Sequence, residues 1–163
     1  TSGCVICIDL KSFYASVECA DRSLDPFTTN LVVADPDRSA NTICLAITPA
    51  MKALGVRNRC RVFEIPKSVD FIECRPHMRR YMEESAEIYG IYLRYFSPED
   101  IHVYSVDECF IDVTGYLRLY GETPVSMAKK LMAVIRQTAS AGLTRRPSGA
   151  ASGTTAPSRT SGA

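Results

Sequence analysis

Apolar and polar positions along the chain mark out a short series of elements. Cys4-Val5-Ile6-Cys7-Ile8-Asp9-Leu10 is a nearly continuous apolar run holding one acid near its end, the pattern of a buried central strand. Phe13, Val17 and Ala20 then recur at helical spacing and predict a helix over 13–20, with Ser12 as its N-cap. Asp25-Pro26 reads as a turn, 31–34 as a strand, 35–38 as another turn and 43–47 as a further strand. Pro49 to Leu54 reads as a short helix with Pro near its start and Gly55 just past its end. After a strand over 70–74, Pro76 opens a long helix to about Phe96, stopped by Ser97-Pro98. Its core face is predicted to carry Met78, Tyr81, Met82, Ile88, Tyr92 and Phe96. The runs 101–104 and 109–113 predict strand, turn, strand, with Asp107 and Glu108 at the turn. A last helix runs from Pro124 to about Ala139, with Val125, Ala128, Leu131, Met132 and Ile135 on one face, and Ser140 to Leu143 is read as the start of a final strand.

Residues 144–163 contain only Thr, Arg, Pro, Ser, Gly and Ala, a composition that builds no core and predicts a disordered tail. Without the segment 25–75, the remaining order is β-α-β-β-α-β. The predicted fold class is therefore α+β, ferredoxin-like, with the last strand incomplete and a small subdomain inserted. In that topology the first and third strands are neighbours, which brings Asp9 toward Asp107 and Glu108.

At 163 residues and 46% hydrophobic composition, the chain suits one globular domain with a real core. Its net charge of +1 excludes a global basic field for nucleic acid, so any such contact is local. The basic run of Lys52, Arg57, Arg59 and Arg61 is either a solvated surface or a clamp for phosphates. Seven cysteines, scattered mainly through apolar runs, read as buried small hydrophobes in a reducing cytosol. Cys4-x-x-Cys7 has redox or zinc spacing but lacks a second such pair. With no signal peptide and no long apolar span, the expected location is soluble and cytoplasmic, away from membranes. The chain starts at Thr1 instead of Met, so a missing native start is expected.

Asp107 and Glu108 on their own are either a solvated hairpin tip or half of a site. Joined by Asp9, they form a three-carboxylate group that stays ionised only beside a cation. Carboxylate oxygens suit Mg²⁺, and two such ions support phosphoryl or nucleotidyl transfer by positioning and charge neutralisation.

Three stretches carry a family resemblance. Ile8-Asp9-Leu10-Lys11-Ser12-Phe13-Tyr14-Ala15-Ser16-Val17-Glu18 resembles the opening motif of Y-family (translesion) DNA polymerases. The segment from Tyr104 to Thr114 resembles their second metal motif, and Ala50-Met51-Lys52-Ala53-Leu54-Gly55-Val56 resembles their nucleotide-contacting fingers segment. The nearest branch is the UmuC/ImpB/MucB-like repair polymerases, and the likeness covers about residues 4–143. It implies a palm made of 1–24 and 76–143 with fingers at 25–75, followed by the tail at 144–163. By resemblance, Asp9, Asp107, Glu108 and the Leu10 carbonyl bind two Mg²⁺ ions, for which Mn²⁺ can substitute. Phe13, Tyr14 and Lys52 bind the incoming dNTP, and Tyr14 is the steric gate against a ribose 2′-OH, where ordinary core packing beside Phe13 is the alternative. Pro49 stands where many relatives have Tyr, and has neither a hydroxyl nor a backbone N–H for a phosphate.

The resemblance implies templated nucleotidyl transfer from dNTP to a primer 3′-OH on damaged DNA, in SOS-type DNA repair. It departs from the family after Leu143, so the thumb and little finger are expected to be absent and primer-template binding weak. A truncated or frameshifted product is the corresponding expectation. A sliding clamp is an expected partner of the full-length parent only. The alternatives are a remnant that binds metal and nucleotide without holding primer-template, and a nucleotidyl cyclase, against which Tyr14 and the Lys52 segment argue.

Overall fold

The computed structural model describes residues 3–145, with side chains described through residue 137. Its elements are β1 (Val5–Asp9), α1 (Phe13–Asp21), β2 (Leu31–Val33), β3 (Ala46–Ile47), α2 (Pro49–Ala53), β4 (Ile72–Cys74), α3 (Met78–Tyr92), β5 (Ile101–Ser105), β6 (Glu108–Asp112), α4 (Tyr116–Tyr120) and α5 (Pro124–Arg145). The strands form two small sheets ordered β1-β6-β5 and β3-β2-β4. The first is antiparallel throughout, with β6 central, as the ferredoxin-like 1-3-2 order requires.

Period-2 alternation divides β1 and β6 between core and surface. Ile6 and Ile8 of β1, with Cys109 and Ile111 of β6, enter a core shared with Tyr81, Ile88, Ile91 and Tyr92 of α3 and Met127, Leu131 and Ile135 of α5. Val5, Cys7 and Asp9 face outward, so β1 is buried on one face instead of two. In the second sheet the central β2 is covered on both sides. Leu31 and Val33 pack into the core of the first sheet and Val32 into a separate one with Ala34, Cys44, Ile47, Met51, Val56, Cys60 and Ile65. That explains the unbroken Leu-Val-Val run, all three residues having 0% exposure.

Further expectations are corrected. Residues 140–143 continue α5 to Arg145 and do not begin a strand; Ala and Leu favour helix, and no proline interrupts before Pro147. Ser12 does not cap α1 through its side chain: it enters the helix at φ 58°, outside the extended region an N-cap uses, and its Oγ is buried without a partner among the described residues. Met78 and Met82 are exposed, because the buried face of α3 follows Tyr81, Ile88 and Tyr92. Val125 is exposed too, the α5 face running through Met127, Leu131 and Ile135. Of the predicted tail, Thr144 and Arg145 belong to α5 and 146–163 lie outside the described residues. Gly55 does sit past α2 as read, at φ +87°.

All seven cysteines are free; Cys4 is half-buried, Cys7 exposed and the other five buried. Burial pushes the Cys19 thiol up to about 11 and the Cys74 thiol up to about 12, so both stay protonated and inert at neutral pH. Among the described residues no helix is long and apolar enough to cross a membrane.

Two polar links stitch α1 to α3. Arg80 holds both carboxylate oxygens of Asp21 at 3.0–3.2 Å. Glu18, only 2% exposed, accepts a 2.6 Å hydrogen bond from the Tyr81 hydroxyl, lies 2.6 Å from His77 Nδ1 and pairs with Arg22. Burial pushes the Glu18 carboxyl upward, but the hydrogen bonds from Tyr81, Arg22 and His77 outweigh it and hold it below its ordinary 4.5. An unfolded Glu18 takes up its proton at higher pH than the folded one. Its contribution to stability is thus complete above about 4.5 and is lost as pH falls through the lower folded value. Thermal unfolding checks this. Wild type should melt above Glu18→Gln at pH 7, with the gap narrowing as acid titration protonates the folded carboxyl and makes it neutral like the amide. A constant gap would contradict it.

Candidate active site

The register of β1 against β6 builds the centre of the site. Asp9 is the direct cross-strand partner of Glu108. Leu10 N–H donates to the Asp107 carbonyl at 2.9 Å, which makes the adjacent Asp9–Glu108 pair one of the closer, non-hydrogen-bonded kind, with Cα atoms about 4.5 Å apart. Directly opposed residues point to the same face, so both carboxylates leave the sheet on its open side. Like charges in that arrangement repel. No ion pair neutralises Asp9, Asp107 or Glu108 among the described residues.

A bulge shapes the hairpin that carries Asp107. The pairing steps from Val103–Cys109 to Ser105–Glu108, which leaves Tyr104 as the extra residue of β5. Val106 and Asp107 form the two-residue turn, both with negative φ, a turn geometry that would splay regular strands without the bulge. Three bonds pin it: Leu10 N–H to the Asp107 carbonyl, Ser105 Oγ to Asp107 Oδ1 at 3.0 Å, and Ser85 Oγ of α3 to the Val106 carbonyl at 2.6 Å. The Leu10 carbonyl accepts no backbone hydrogen bond among the described residues.

Tyr14 projects from the first turn of α1 with one face on Tyr81, the ring centroids 4.4 Å apart and the planes 13° from parallel. Burial raises its hydroxyl pKa; the Asp107 carboxylate raises it further and the Arg59 guanidinium opposes both. Tyr14 therefore lies within electrostatic reach of both Asp107 and Arg59. Phe13, by contrast, is buried in the core at 7% exposure, tilted against Tyr14. Lys52 stands half-buried on α2 and makes no ion pair among the described residues. Arg57 pairs with Glu64 and Arg61 bonds the Asn41 carbonyl, whereas Arg59 stays exposed at the left-handed φ of 56°.

The structure thus brings Asp9, Leu10, Asp107, Glu108 and Tyr14 together; Lys52 forms no hydrogen bond or ion pair with them among the described residues, and Phe13 supports from within. The sequence reading gave no role to Ser85, Glu18 or the Tyr81 ring as a backing for Tyr14. Ser85 and Tyr81 are four apart on α3, and Tyr14 and Glu18 four apart on α1, a spacing that shares one helix face. All-oxygen donors suit a hard divalent cation. Among the described residues, however, no three metal-type side chains converge on one point; Asp9 is exposed and Asp107 and Glu108 half-buried. Another cavity, of about 300 Å³, opens at the far end of β6 between Asp100, Asp112, Thr114 and Tyr116, and holds none of these residues.

Ser85→Ala removes one hydrogen bond beneath the turn, about 1 kcal/mol or roughly a fivefold change in local opening. Amide exchange at Asp107 and Glu108 should quicken by that factor while the β1 amides hold. Unchanged exchange at the turn would show that Ser85 does not position it.

The family model described as impB/mucB/samB matches residues 8–151, further than the sequence motifs reached. DNA repair protein homolog YozK of Bacillus subtilis (strain 168) is 36% identical over 105 residues, covering 63% of this chain and 90% of that protein. DNA polymerase IV 2 of the same organism is 36% identical over 131 residues, covering 78% of this chain and 30% of the relative. DNA polymerase IV 2 of Halalkalibacterium halodurans is 37% identical over 132 residues, and 31% of its length is covered. The chain spans about a third of the length of these polymerases. Among solved structures, a Y-family DNA polymerase chimera of Dbh and Dpo4 superposes with a TM-score of 0.64 at 20% identity, over 82% of this chain and 39% of that one. A Dbh ternary complex gives the same TM-score of 0.64 at 22% identity. The α+β fold with its small sheets is thus that of the Y-family palm and fingers region, and with most of its length matched the chain belongs to the impB/mucB/samB family of Y-family DNA polymerase relatives.

Proposed function

We propose that this chain is the palm and fingers part of a translesion DNA polymerase, with 1–24 and 76–143 as palm and 25–75 as fingers. The observation that carries the reading is the Asp9–Glu108 cross-strand pair beside Asp107, three carboxylates with no basic partner among the described residues. Asp9, Asp107, Glu108 and the Leu10 carbonyl would hold two divalent ions, Mg²⁺ or Mn²⁺. Bound there, the ions would supply charge neutralisation and an activated 3′-oxygen for nucleotidyl transfer. The residues of the chain supply placement. The open face of the β1-β6-β5 sheet offers the carboxylates to solvent and to primer-template. Lys52 and Arg59, both on the segment 25–75, would supply charge for a triphosphate, and the left-handed Arg59 backbone fits a position held for that contact. Tyr14, within electrostatic reach of Asp107 and Arg59, would meet the sugar of a dNTP and exclude a 2′-OH. The setting is cytoplasmic DNA repair of the SOS type.

Equilibrium binding of dATP to the purified chain, with and without Mn²⁺, tests this beside Asp107→Ala. Binding should require the ion and weaken at least tenfold, about 1.4 kcal/mol, in the variant. Metal-independent binding that Asp107→Ala leaves intact would overturn the site. Primer extension in parallel measures whether palm and fingers suffice for catalysis: extension lost in Asp107→Ala shows that they do, and its absence beside metal-dependent binding shows that the grip on primer-template lies elsewhere.

A further inference from the structure

We propose that Glu18 is a positioning residue for sugar selection: it anchors Tyr81, and Tyr81 backs the ring of Tyr14. This rests on the reading of Tyr14 as the residue that meets the sugar, and extends it to a side chain that touches no substrate.

A ring excludes an extra hydroxyl only as firmly as the ring itself is held. Tyr14 is half-buried, and its edge contact with Phe13 is tilted at 56° with centroids 5.9 Å apart. The near-parallel contact with Tyr81 at 4.4 Å is the closer one, and it sets the Tyr14 ring face to face with a fully buried ring. Tyr81 is fully buried at 0% exposure, so its hydroxyl needs a partner inside. Glu18 is that partner at 2.6 Å. It stands four residues after Tyr14 on α1, on the same helix face, so one residue of α3 touches both: the ring meets Tyr14 and the hydroxyl meets Glu18.

Glu18 is itself fixed. Arg22 holds Oε2 and also bonds the Glu18 carbonyl at 3.0 Å, while His77 Nδ1 lies 2.6 Å from the Oε1 that Tyr81 uses. A buried carboxylate with donors on both oxygens has one favourable orientation. Movement of the Tyr81 ring would strip it of one of them. The firmness of the Tyr14 ring is in this way referred to a polar cluster that the nucleotide never reaches.

The competing explanation is that Glu18 merely clips α1 to α3. Asp21 separates the two, because its bonds to Arg80 join the same helices without touching Tyr81. The experiment measures Mn²⁺-dependent Kd values for dATP and ATP on the purified chain, for wild type, Glu18→Leu, Tyr81→Phe, Glu18→Gln and Asp21→Asn, with melting temperatures for each. Tyr81→Phe keeps the ring and removes only the anchoring hydroxyl, so it stands in if Glu18→Leu fails to fold. The preference for dATP over ATP should fall at least threefold in Glu18→Leu and Tyr81→Phe, mostly through tighter ATP binding. Glu18→Gln, which keeps an acceptor for the Tyr81 hydroxyl, should retain most of the preference, and Asp21→Asn should retain all of it despite a lower melting temperature. Unchanged preference in Tyr81→Phe, or an equal fall in Asp21→Asn, overturns the proposal while leaving the nucleotide site standing. A wild type that binds neither nucleotide overturns the site itself, and one that binds both equally overturns Tyr14 as a gate.

Discussion

The pairing of β1 with β6 is the constraint on which the rest of the structure depends. Side chains alternate along both strands, so a single register decides which residues enter the core and which leave it. With Asp9 opposite Glu108, Ile6, Ile8, Cys109 and Ile111 are buried and the acids share the open face. A slip of one residue would exchange the two sets, pushing carboxylates into the core and isoleucines into solvent. The apolar side of the ladder thus holds in place the repulsive contact on the other side. The bulge at Tyr104 and the Ser85 bond then set the Asp107 turn beside that pair.

Helix α1 joins the acidic face to the interior. Phe13 and Val17 pack into the core, while Tyr14 and Glu18 face Tyr81 on α3. The inserted sheet is bound into the same framework through β2, whose alternate residues serve two cores at once. A basic side chain of the segment 25–75 and an acid of the first sheet both act on Tyr14, Asp107 raising and Arg59 lowering the pKa of its hydroxyl.

Much of this was legible in the sequence because it depends on local pattern. An apolar run with an acid near its end, a hairpin with paired acids and a Pro-to-Gly short helix all appear where the alternation and turn residues put them. The side chains that tune the site were not legible, because they act across elements. Ser85 looks like a neutral helix residue until α3 is laid beneath the turn, and Glu18 looks like an ordinary helical acid until Tyr81, Arg22 and His77 surround it. The Tyr104 bulge changes no residue type and leaves no composition signal. Errors arose where a pattern had two solutions: Met78 and Met82 fit helical spacing but one step off the buried face, and Ser140 to Leu143 offered a short small-residue run that α5 simply continues.

The central claim is that the Asp9–Glu108 face, and not another acidic part of the surface, receives divalent cations. Paramagnetic broadening of amide signals by substoichiometric Mn²⁺ tests it without DNA or turnover. Broadening should centre on Asp9, Leu10, Asp107 and Glu108 and fade toward the far end of β6. Broadening centred on Asp100 and Asp112 at the other cavity, or spread evenly over the exposed acids, would contradict the account.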